Sequence, residues 1–323
     1  MNFSDDRVQY IFDQMGRKYD LINDLWYSWL YSRLHYFIAK EIICSWAEET
    51  HKVIDIGCGT GFQSFLYAQA GAEVWGVDIS QKLIDVATEK SKYPPTVADL
   101  FQPRYKFVEY YNKKIGKLLS NCFPNPNITK PRFEVQSILD LKFHNEEFDH
   151  VNCCGSVLSL LEEHQLALHH ISRVLKPGGT FILEVEAKYN FDLIWNLLDS
   201  ITGGRLGYES TFKEAIHPFL TKRSESYSIE YPFGETGDPV YMPIKLYTRS
   251  GLARDLLKHD LVVKNWKSIH SVTNLIPSTI LDSENPSKFI QAIFNGLSFI
   301  EGLLPISLPG CSIVAIGEKL IED

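Results

Sequence analysis

The stretch VIDIGCGTG (53–61) decides the fold of this chain. An apolar run that ends in glycines at alternate positions is typical of a buried strand followed by a tight turn. The helical FQSFLYAQAGA (62–72) follows, and EVWGVDIS (73–80) predicts a second strand closed by a turn. These three segments predict a β-α-β unit whose glycine turn lets a ligand lie against bare backbone, facing amide groups and a helix N-terminus.

Two acidic residues make this glycine turn more specific. Asp55 lies inside the first strand, two residues before Gly57, and Asp78 ends the second strand, where a carboxylate can accept both hydroxyls of a ribose. Phe62 stands where a dinucleotide-binding fold would want its third glycine. The pattern therefore favours a nucleoside-containing cofactor other than a dinucleotide, and a Rossmann dehydrogenase is a weaker alternative.

Outside this unit, strands continue to alternate with helices. Apolar residues at helical spacing from Val8 to Glu48 predict two or three helices before the first strand. A helix predicted over 162–175 should end at the breakers 176–179. Such alternation predicts a doubly wound, mostly parallel sheet of the α/β class. The other predicted elements are strands at 133–138, 148–154, 180–186, 261–268 and 311–319 and helices at 251–259 and 287–301.

Two insertions interrupt this alternation. The segment 91–132 contains eight basic and two acidic residues, so its net charge is +6 in a chain whose net charge is −8. The segment 190–250 contains a helical piece (191–201) and two alternating runs (224–231 and 240–248). We expect these runs to pair as antiparallel strands across a turn-rich connection, and the whole segment to form a lid over the carboxyl edge of the sheet.

Composition limits the class of protein. With 323 residues, 45% of them hydrophobic, the chain can bury a large core, and no stretch approaches the ~18–20 apolar residues of a membrane span. The start MNFSDDRVQY resembles no leader, so we expect a cytoplasmic protein. The acidic balance argues against general nucleic-acid binding. The cysteines lie too far apart for a disulfide scaffold and are expected to be free thiols: Cys44, Cys58, Cys122, Cys153, Cys154 and Cys311.

Several of these motifs together resemble those of a known family. The glycine turn followed by VDIS resembles motif I and the ribose-binding acid of class I S-adenosylmethionine-dependent methyltransferases, and 133–161 and LKPGGTFILEVE (175–186) resemble their later strands. The segment 18–24 resembles the N-terminal signature of the ubiquinone/menaquinone C-methyltransferase type. The resemblance implies a seven-stranded Rossmann-like methyltransferase fold, with a helical cap over 1–50 and the methyltransferase domain over 51–323.

No metal is expected, because the sequence has no CxxC pair to clamp one. The resemblance assigns the cofactor S-adenosylmethionine and a set of binding residues. The implied contacts are, for the methionine portion, Tyr19, Gly57, Cys58, Gly59 and Gly61, with Asp55 ordering the loop; for the ribose, Asp78; for the adenine, Ile79, Ser137 and Ile138; and for the sulfonium, Cys154 and Gly155.

Methyl transfer from a sulfonium is an in-line displacement, so the enzyme aligns the acceptor and needs no covalent nucleophile. Glu186 and Tyr189, just after the fifth strand, are the candidate acceptor-facing residues, and Glu186 is equally a possible helix cap. A small-molecule acceptor is the favoured function. The alternatives are a regulatory protein that keeps only the pocket, and a methyltransferase acting on a macromolecule through the basic insert.

The stretch RYKFVEYYNKKIGK (104–117) of the basic insert interleaves aromatic residues with lysines. It could follow a phosphate backbone, contact anionic lipid or a protein, or form a helix with a solvated basic face and an aromatic core face. We expect it to lie beside the pocket mouth, because the insert leaves the sheet after the ribose-binding strand and returns at the adenine-flanking one.

Overall fold

The computed structural model describes residues 3–21, 24–46, 51–96, 104–208, 210–220, 227–233, 240–283, 285–304 and 308–321. Some predictions lie outside these residues. They concern Ile22 and Asn23 of the N-terminal signature, the end of the N-terminal helices beyond 46, residues 97–103 of the basic insert, the start of the run 224–231, and most of the connection 232–239.

Seven strands form one sheet in the order β3-β2-β1-β4-β5-β9-β8, in which only β9 runs antiparallel to its neighbours. β6 and β7 form a separate antiparallel ribbon. The predicted doubly wound, mostly parallel fold is confirmed. The strands are β1 (Lys52–Ile56), β2 (Glu73–Asp78), β3 (Arg132–Val135), β4 (Phe148–Cys153), β5 (Leu175–Glu186), β6 (Tyr227–Phe233), β7 (Val240–Leu246), β8 (Leu261–Ile269) and β9 (Ser312–Lys319).

The helices cover both faces of the sheet. In chain order they are α1 (Phe3–Met15), α2 (Leu25–Phe37), α3 (Phe62–Gln69), α4 (Gln81–Lys90), α5 (Lys106–Cys122), α6 (His164–Val174), α7 (Asp192–Thr202), α8 (Phe212–Leu220), α9 (Arg249–Leu257), α10 (Ser278–Leu281) and α11 (Lys288–Leu303). The core on one face is built by α2, α3, α5 and α11, and the core on the other by α6 and α9. Strand order reverses beside β1, so the carboxyl ends of β1 and β4 border the crevice where such folds bind ligands.

The basic insert enters this core through α5. Phe107, Tyr111 and Ile115 are buried, and the rings of Phe107 and Tyr111 pack edge-on against Trp29 of α2. Lys106, Lys113 and other polar residues of α5 face solvent. The structure thus shows the helix with an aromatic core face and a solvated basic face that was one of the interpretations of 104–117.

One predicted strand boundary is wrong. The fifth strand, predicted from 180, begins at Leu175, because a bulge between the pairs Phe148↔Leu175 and His150↔Thr180 absorbs residues 176–179. The preceding helix ends at Val174, before those breakers, as predicted. A side chain on Gly179 would come within 2.8 Å of the Lys176 carbonyl, so this position accepts only glycine without a shift. Helix α8, which contains Pro218, was not predicted within 190–250.

The prediction that all six cysteines are free is also wrong. Cys44, in the short 3₁₀ turn after α2, forms a disulfide with Cys122 at the end of α5, with a Cα–Cα distance of 5.7 Å. The pair forms because α5 packs along α2, and 78 residues of sequence separation hid that proximity. Cys58, Cys153, Cys154 and Cys311 are free and buried.

The antiparallel ribbon packs next to the N-terminal helix. Ile244 of β7 forms a small core with Ile11 of α1 and Leu160, which follows β4. The predicted lid role of 190–250 stays a prediction. Across the ranges given above, no helix has the length and apolar character needed to cross a membrane.

Candidate functional site

The glycine turn is held against β2 by its backbone. The amides of Gly57 and Cys58 both donate to the carbonyl of Val77, at 2.8 and 3.0 Å. Gly57, Gly59 and Gly61 have φ values of +70°, +53° and +90°, which side chains rarely adopt. A Cβ on Gly57 would also lie 2.2 Å from Cγ2 of Val157. This turn therefore needs glycine both for its backbone angles and for its close packing.

Asp55 lies beneath this turn and is almost fully buried. Its carboxylate accepts hydrogen bonds from Ser64 Oγ at 2.5 Å and from Asn152 Nδ2 at 2.6 Å, so it joins β1 to α3 and β4. Burial raises the pKa of Asp55 to about 6. Asp55 contacts the elements that shape the turn and does not line the cavity above it. Asn152, which sequence reasoning missed, looks like an ordinary strand residue in the sequence.

Asp78, at the end of β2, points to the glycine turn from the neighbouring strand. Its Oδ2 accepts from the amide of Gly59 and its Oδ1 from the amide of Ser80, both at 2.9 Å. Burial raises the pKa of Asp78, and the two amide hydrogen bonds oppose that rise. The carboxylate is therefore fixed in direction, with its backbone partners on the turn and on the first residue after Ile79.

A cavity open to solvent, with about 810 Å³ of empty space when the solvent at its mouth is included, lies over the carboxyl ends of β1, β2 and β4. Most of the predicted binding residues line it, and Asp55, Gly61, Glu186 and Tyr189 do not. The predicted residues that line the cavity are Tyr19, Gly57, Cys58, Gly59, Asp78, Ile79, Ser137, Ile138, Cys154 and Gly155.

The N-terminal segment covers this cavity. Val8 and Phe12 of α1 and Tyr19 of the following 3₁₀ turn contribute to its wall, and the Tyr19 hydroxyl is hydrogen-bonded to that of Tyr31. Burial raises the pKa of Tyr19 to about 12, so its hydroxyl stays protonated. Sequence reasoning missed Val8 and Phe12 as wall residues, since an apolar helix position looks the same whether it faces a core or a cavity.

Hydrogen bonds and an ion pair hold this cover, which consists of α1 and the following 3₁₀ turn, against the site. Ser80 Oγ donates to Asp13 of α1 at 2.6 Å. In the 3₁₀ turn, Asp20 accepts from Thr60 Oγ1 at 2.5 Å and from Lys90 Nζ, whose shortest contact is 2.7 Å. Lys90 Nζ also donates to the carbonyl of Thr60 at 3.2 Å. The cover is thus bonded to the glycine turn itself.

Two glutamates of β5 hold the loop that follows β4. Glu184 is fully buried and accepts from the amides of Gly155 at 3.1 Å and Ser156 at 2.7 Å. The hydroxyl of Ser156 donates to Glu186 Oε1 at 2.7 Å. Burial, followed by the charge of Glu184, raises the pKa of Glu186 to about 8. Glu186 therefore contacts Ser156, the residue that follows Gly155 of the cavity wall, and does not line the cavity itself. Glu184 fixes the position of that wall through the amides of Gly155 and Ser156.

The cysteines near the site are unsuited to nucleophilic or metal chemistry. Burial raises the pKa of Cys58, Cys153 and Cys154, so the thiol form is favoured. In the part of the chain that the structure describes, no cluster of three or more His, Cys, Asp or Glu side chains could hold a metal ion.

The geometry fits a nucleoside cofactor with an extended tail. Asp78 presents an oriented carboxylate, and Gly155 lines the cavity at φ +91° with open space where a side chain would project. A family model for a methyltransferase domain matches residues 30–226. The chain belongs to this methyltransferase-domain family. This match confirms the predicted enzyme class and cofactor, S-adenosylmethionine, and the structural likenesses below confirm the predicted fold.

Individual relatives of this methyltransferase domain are distant. Glycine N-methyltransferase of Mus musculus is 24% identical over 214 residues, which cover 61% of this chain and 62% of that protein. The chain thus spans less than two thirds of the length of this curated relative. The likeness covers the methyltransferase domain and leaves the whole-protein activity to be tested.

Solved structures share the fold. A SAM-dependent methyltransferase from Methanosarcina mazei superposes with a TM-score of 0.50 at 19% identity, covering 87% of this chain and 98% of that one. Magnesium protoporphyrin IX methyltransferase from Synechocystis PCC 6803, with bound SAH, superposes with a TM-score of 0.51 at 16% identity, covering 98% and 99%. At these identities the likeness shows the fold alone.

Proposed function

We propose that this methyltransferase transfers a methyl group from S-adenosylmethionine to a small-molecule acceptor. The observation that carries the proposal is the cover over the cavity. Val8, Phe12 and Tyr19 lie over part of it, and Asp20 bonds that cover to the glycine turn. An acceptor must enter this covered space to reach the wall at Gly155, and a small molecule does so more readily than a folded macromolecule.

The same residues that line the cavity would hold the cofactor. Asp78 would accept the ribose hydroxyls, the glycine turn would lie along the methionine portion, and Ile79 and Ile138 would pack on the adenine. Cys154 and Gly155 would lie beneath the sulfonium, with Tyr19 over it. When bound, S-adenosylmethionine supplies an electrophilic methyl group.

For the acceptor, the chain supplies position and, where needed, a proton acceptor. Ser156 holds Glu186 Oε1 in a fixed direction, and Glu184 fixes Ser156 through its amide. A free amine acceptor needs only alignment, whereas a phenol or activated ring carbon must also lose a proton. Glu186, which does not line the cavity, stays the predicted proton acceptor for that step and would act in its deprotonated form, which its pKa of about 8 favours only at higher pH. Tyr189 stays a predicted acceptor-facing residue.

The acceptors to try first come from the relatives and from the sequence. They are glycine and a magnesium porphyrin, after the names of two similar proteins, and a quinone-type ring, after the resemblance of 18–24 to ubiquinone/menaquinone C-methyltransferases. The quinone subfamily, the cytoplasmic location and the unlikelihood of a nucleic-acid acceptor stay predictions, as do the other cofactor contacts that were assigned by resemblance.

The test is transfer of label from methyl-labelled S-adenosylmethionine. The purified protein is incubated with the candidate acceptors, with the small-molecule fraction of a cell extract, and with its protein and nucleic-acid fractions. We expect label in small molecules and none with Asp78→Ala. Label confined to protein or nucleic acid contradicts the proposal. Tight cofactor binding without any transfer favours the regulatory alternative.

A further inference from the structure

Helix α11 exposes apolar side chains to solvent and buries its carboxylate, which is the reverse of an ordinary surface helix. Within this fully described helix, Phe289, Phe299 and Leu303 are 71%, 65% and 67% exposed, and Ile293 and Ile300 are exposed as well. Its only acidic residue, Glu301, is buried. A surface helix normally places its apolar stripe inward and its polar face toward water. The outward face of α11 therefore exposes a continuous apolar row.

The hydrogen bonds of the inward-facing Glu301 fix the rotation of α11 about its own axis. Its carboxylate accepts from Trp29 Nε1 and from the amides of His270, Val272 and Thr273, at 2.9 to 3.0 Å. Phe294, on the same side of the helix, is fully buried. If the helix turned over, the indole N–H of Trp29 and the amides of His270 and Thr273 would stay buried without an acceptor, which is costly. The apolar row is thus fixed on the outside by the polar contacts within.

Helix α7 shows the same reversal. Ile194, Leu198 and Ile201 are exposed, whereas Asp199 is buried and accepts from the amides of Leu206 and Tyr208 at 2.6 and 2.9 Å. The other acidic residue of α7, Asp192, accepts from the amide of Ser278 at 3.0 Å. Both acids are therefore engaged within the protein, and the exposed side of α7 is apolar.

Both helices are anchored to one turn, Thr273–Leu275. Trp195 Nε1 of α7 donates to the carbonyl of Asn274 at 3.1 Å, and Thr273 donates to Glu301 of α11. Leu275 of this turn is itself 45% exposed. We call the exposed apolar side chains of α7 and α11, together with Leu275, the apolar corner. It is larger than the singly scattered apolar residues of an ordinary surface.

The basic helix α5 borders this corner. Arg104, just before α5, donates to Asn285, just before α11, at 3.0 Å. Phe107 packs on Phe294, with ring centroids 5.5 Å apart, so the two helices are direct neighbours. The lysines on the solvent side of α5 are exposed: Lys106, Lys113 and Lys117. One acid, Glu109, lies on the same side of α5 and pairs with Lys113 at 2.6 Å, so the exposed face of α5 keeps a net positive charge. The apolar face of α11 thus lies beside a basic helix face, in a chain of net charge −8.

We propose that the apolar corner and the basic face of α5 dock on an anionic lipid membrane. Apolar side chains that enter the acyl boundary and cations that meet acidic headgroups are the two attractions by which peripheral helices bind bilayers. Each is present here on adjacent helices. This surface would meet the bilayer from one side without spanning it, and its binding requires no particular methyl acceptor.

The experiment is vesicle flotation of the full chain. Wild type should float with vesicles of phosphatidylcholine and phosphatidylserine, and less with phosphatidylcholine alone. Phe299→Ser with Leu303→Ser should weaken that binding by roughly tenfold or more. Lys113→Glu with Lys117→Glu should remove the preference for phosphatidylserine and its salt dependence. Lys114 is left unchanged, because its ammonium lies over the rings of Tyr36, Tyr110 and Tyr111.

Matched controls separate docking from general hydrophobicity and charge. Leu166→Ser removes an exposed apolar residue on α6, and Lys82→Glu with Lys264→Glu makes the same charge change elsewhere on the surface. Both should float like wild type. The proposal is overturned if wild type fails to float at low salt, or if the α11 variant floats as wild type does. It is also overturned if the variant only turns a dimer into a monomer, which would make the corner a protein interface.

Discussion

Lys90 Nζ lies 2.7 Å from Asp20 Oδ2, an ion pair that joins the end of α4 to the 3₁₀ turn carrying Tyr19. Asp20 also accepts from Thr60 of the glycine turn. The cover over the cavity and the loop beneath it are therefore parts of one hydrogen-bonded unit. We therefore predict that the N-terminal segment contributes to cofactor binding.

Asp20→Ala should loosen the cover without unfolding the protein. Because the pair is partly exposed, we expect S-adenosylmethionine affinity to fall by roughly three- to tenfold, about 1 kcal/mol. Calorimetric titration measures this change. Glu318→Ala, which removes an exposed pair with Lys264 at the β8–β9 end of the sheet, is the matched control and should bind as wild type does. Equal cofactor affinities for the two variants would show that the contacts of Asp20 with Thr60 and Lys90 have no role in cofactor binding.

Asp78→Ala should have a larger effect on the same titration. Loss of the carboxylate would remove both hydrogen bonds assigned to the ribose, at about 2–4 kcal/mol, or roughly 30- to 1,000-fold in affinity. Asp85→Ala, on the exposed side of α4, should leave affinity unchanged. Unaltered binding by the Asp78 variant would refute the ribose assignment.

Gly57→Ala tests the packing of the glycine turn. The new Cβ would meet Val157 at 2.2 Å, and alanine is strained at φ +70°. We expect the free energy of unfolding to fall by about 2–4 kcal/mol, from backbone strain and overpacking together. Adding Val157→Ala should remove the clash and recover that part of the lost stability, whereas the part due to backbone strain should remain. Gly116→Ala, in α5 with open space around it, should be neutral or stabilise by about 0.5–1 kcal/mol. A fully stable Gly57 variant in urea unfolding would contradict this account.

The sequence predicted the sheet and about half of the residues in the cavity wall. The glycine turn and Asp78 can be recognised within one β-α-β unit, because the periodicity of a strand and the residues of a turn depend only on neighbouring positions in the sequence. Glu184 and the contacts of Asp20 were missed, since their roles arise only when β5 meets β4 and when α1 folds over the turn. The partner of Cys44 and the reversed face of α11 are likewise set by packing between distant segments.

Glu186 should make stability depend on pH. Burial and the charge of Glu184 raise its pKa from 4.5 to about 8, so the folded protein holds this proton more tightly than the unfolded chain. Its contribution to the free energy of unfolding is therefore complete below pH 4.5 and is lost as the pH rises toward 8. In urea unfolding at about pH 6 and about pH 8.5, Glu186→Gln should lose less stability than wild type. Glu134→Gln, on the exposed part of β3, should follow wild type. Parallel curves for all three proteins would argue against a buried, protonated Glu186.

The disulfide between Cys44 and Cys122 should stabilise the contact between α2 and α5. It closes a loop with a sequence separation of 78, and cross-links of this kind stabilise proteins by about 2–4 kcal/mol, chiefly by restricting the unfolded chain. Cys122→Ser should lose that amount in urea unfolding, because Cys122 is exposed and serine fills its place without a cavity. Reduced wild type provides the internal control. Reduced wild type should unfold at the same urea concentration as Cys122→Ser, and a reductant should not change the unfolding midpoint of that variant.

Maleimide labelling of the denatured, unreduced protein tests the bond directly. It should modify Cys58, Cys153, Cys154 and Cys311 and spare Cys44 and Cys122. Labelling of all six thiols, with one unfolding midpoint in both redox conditions, would show that the bond does not form.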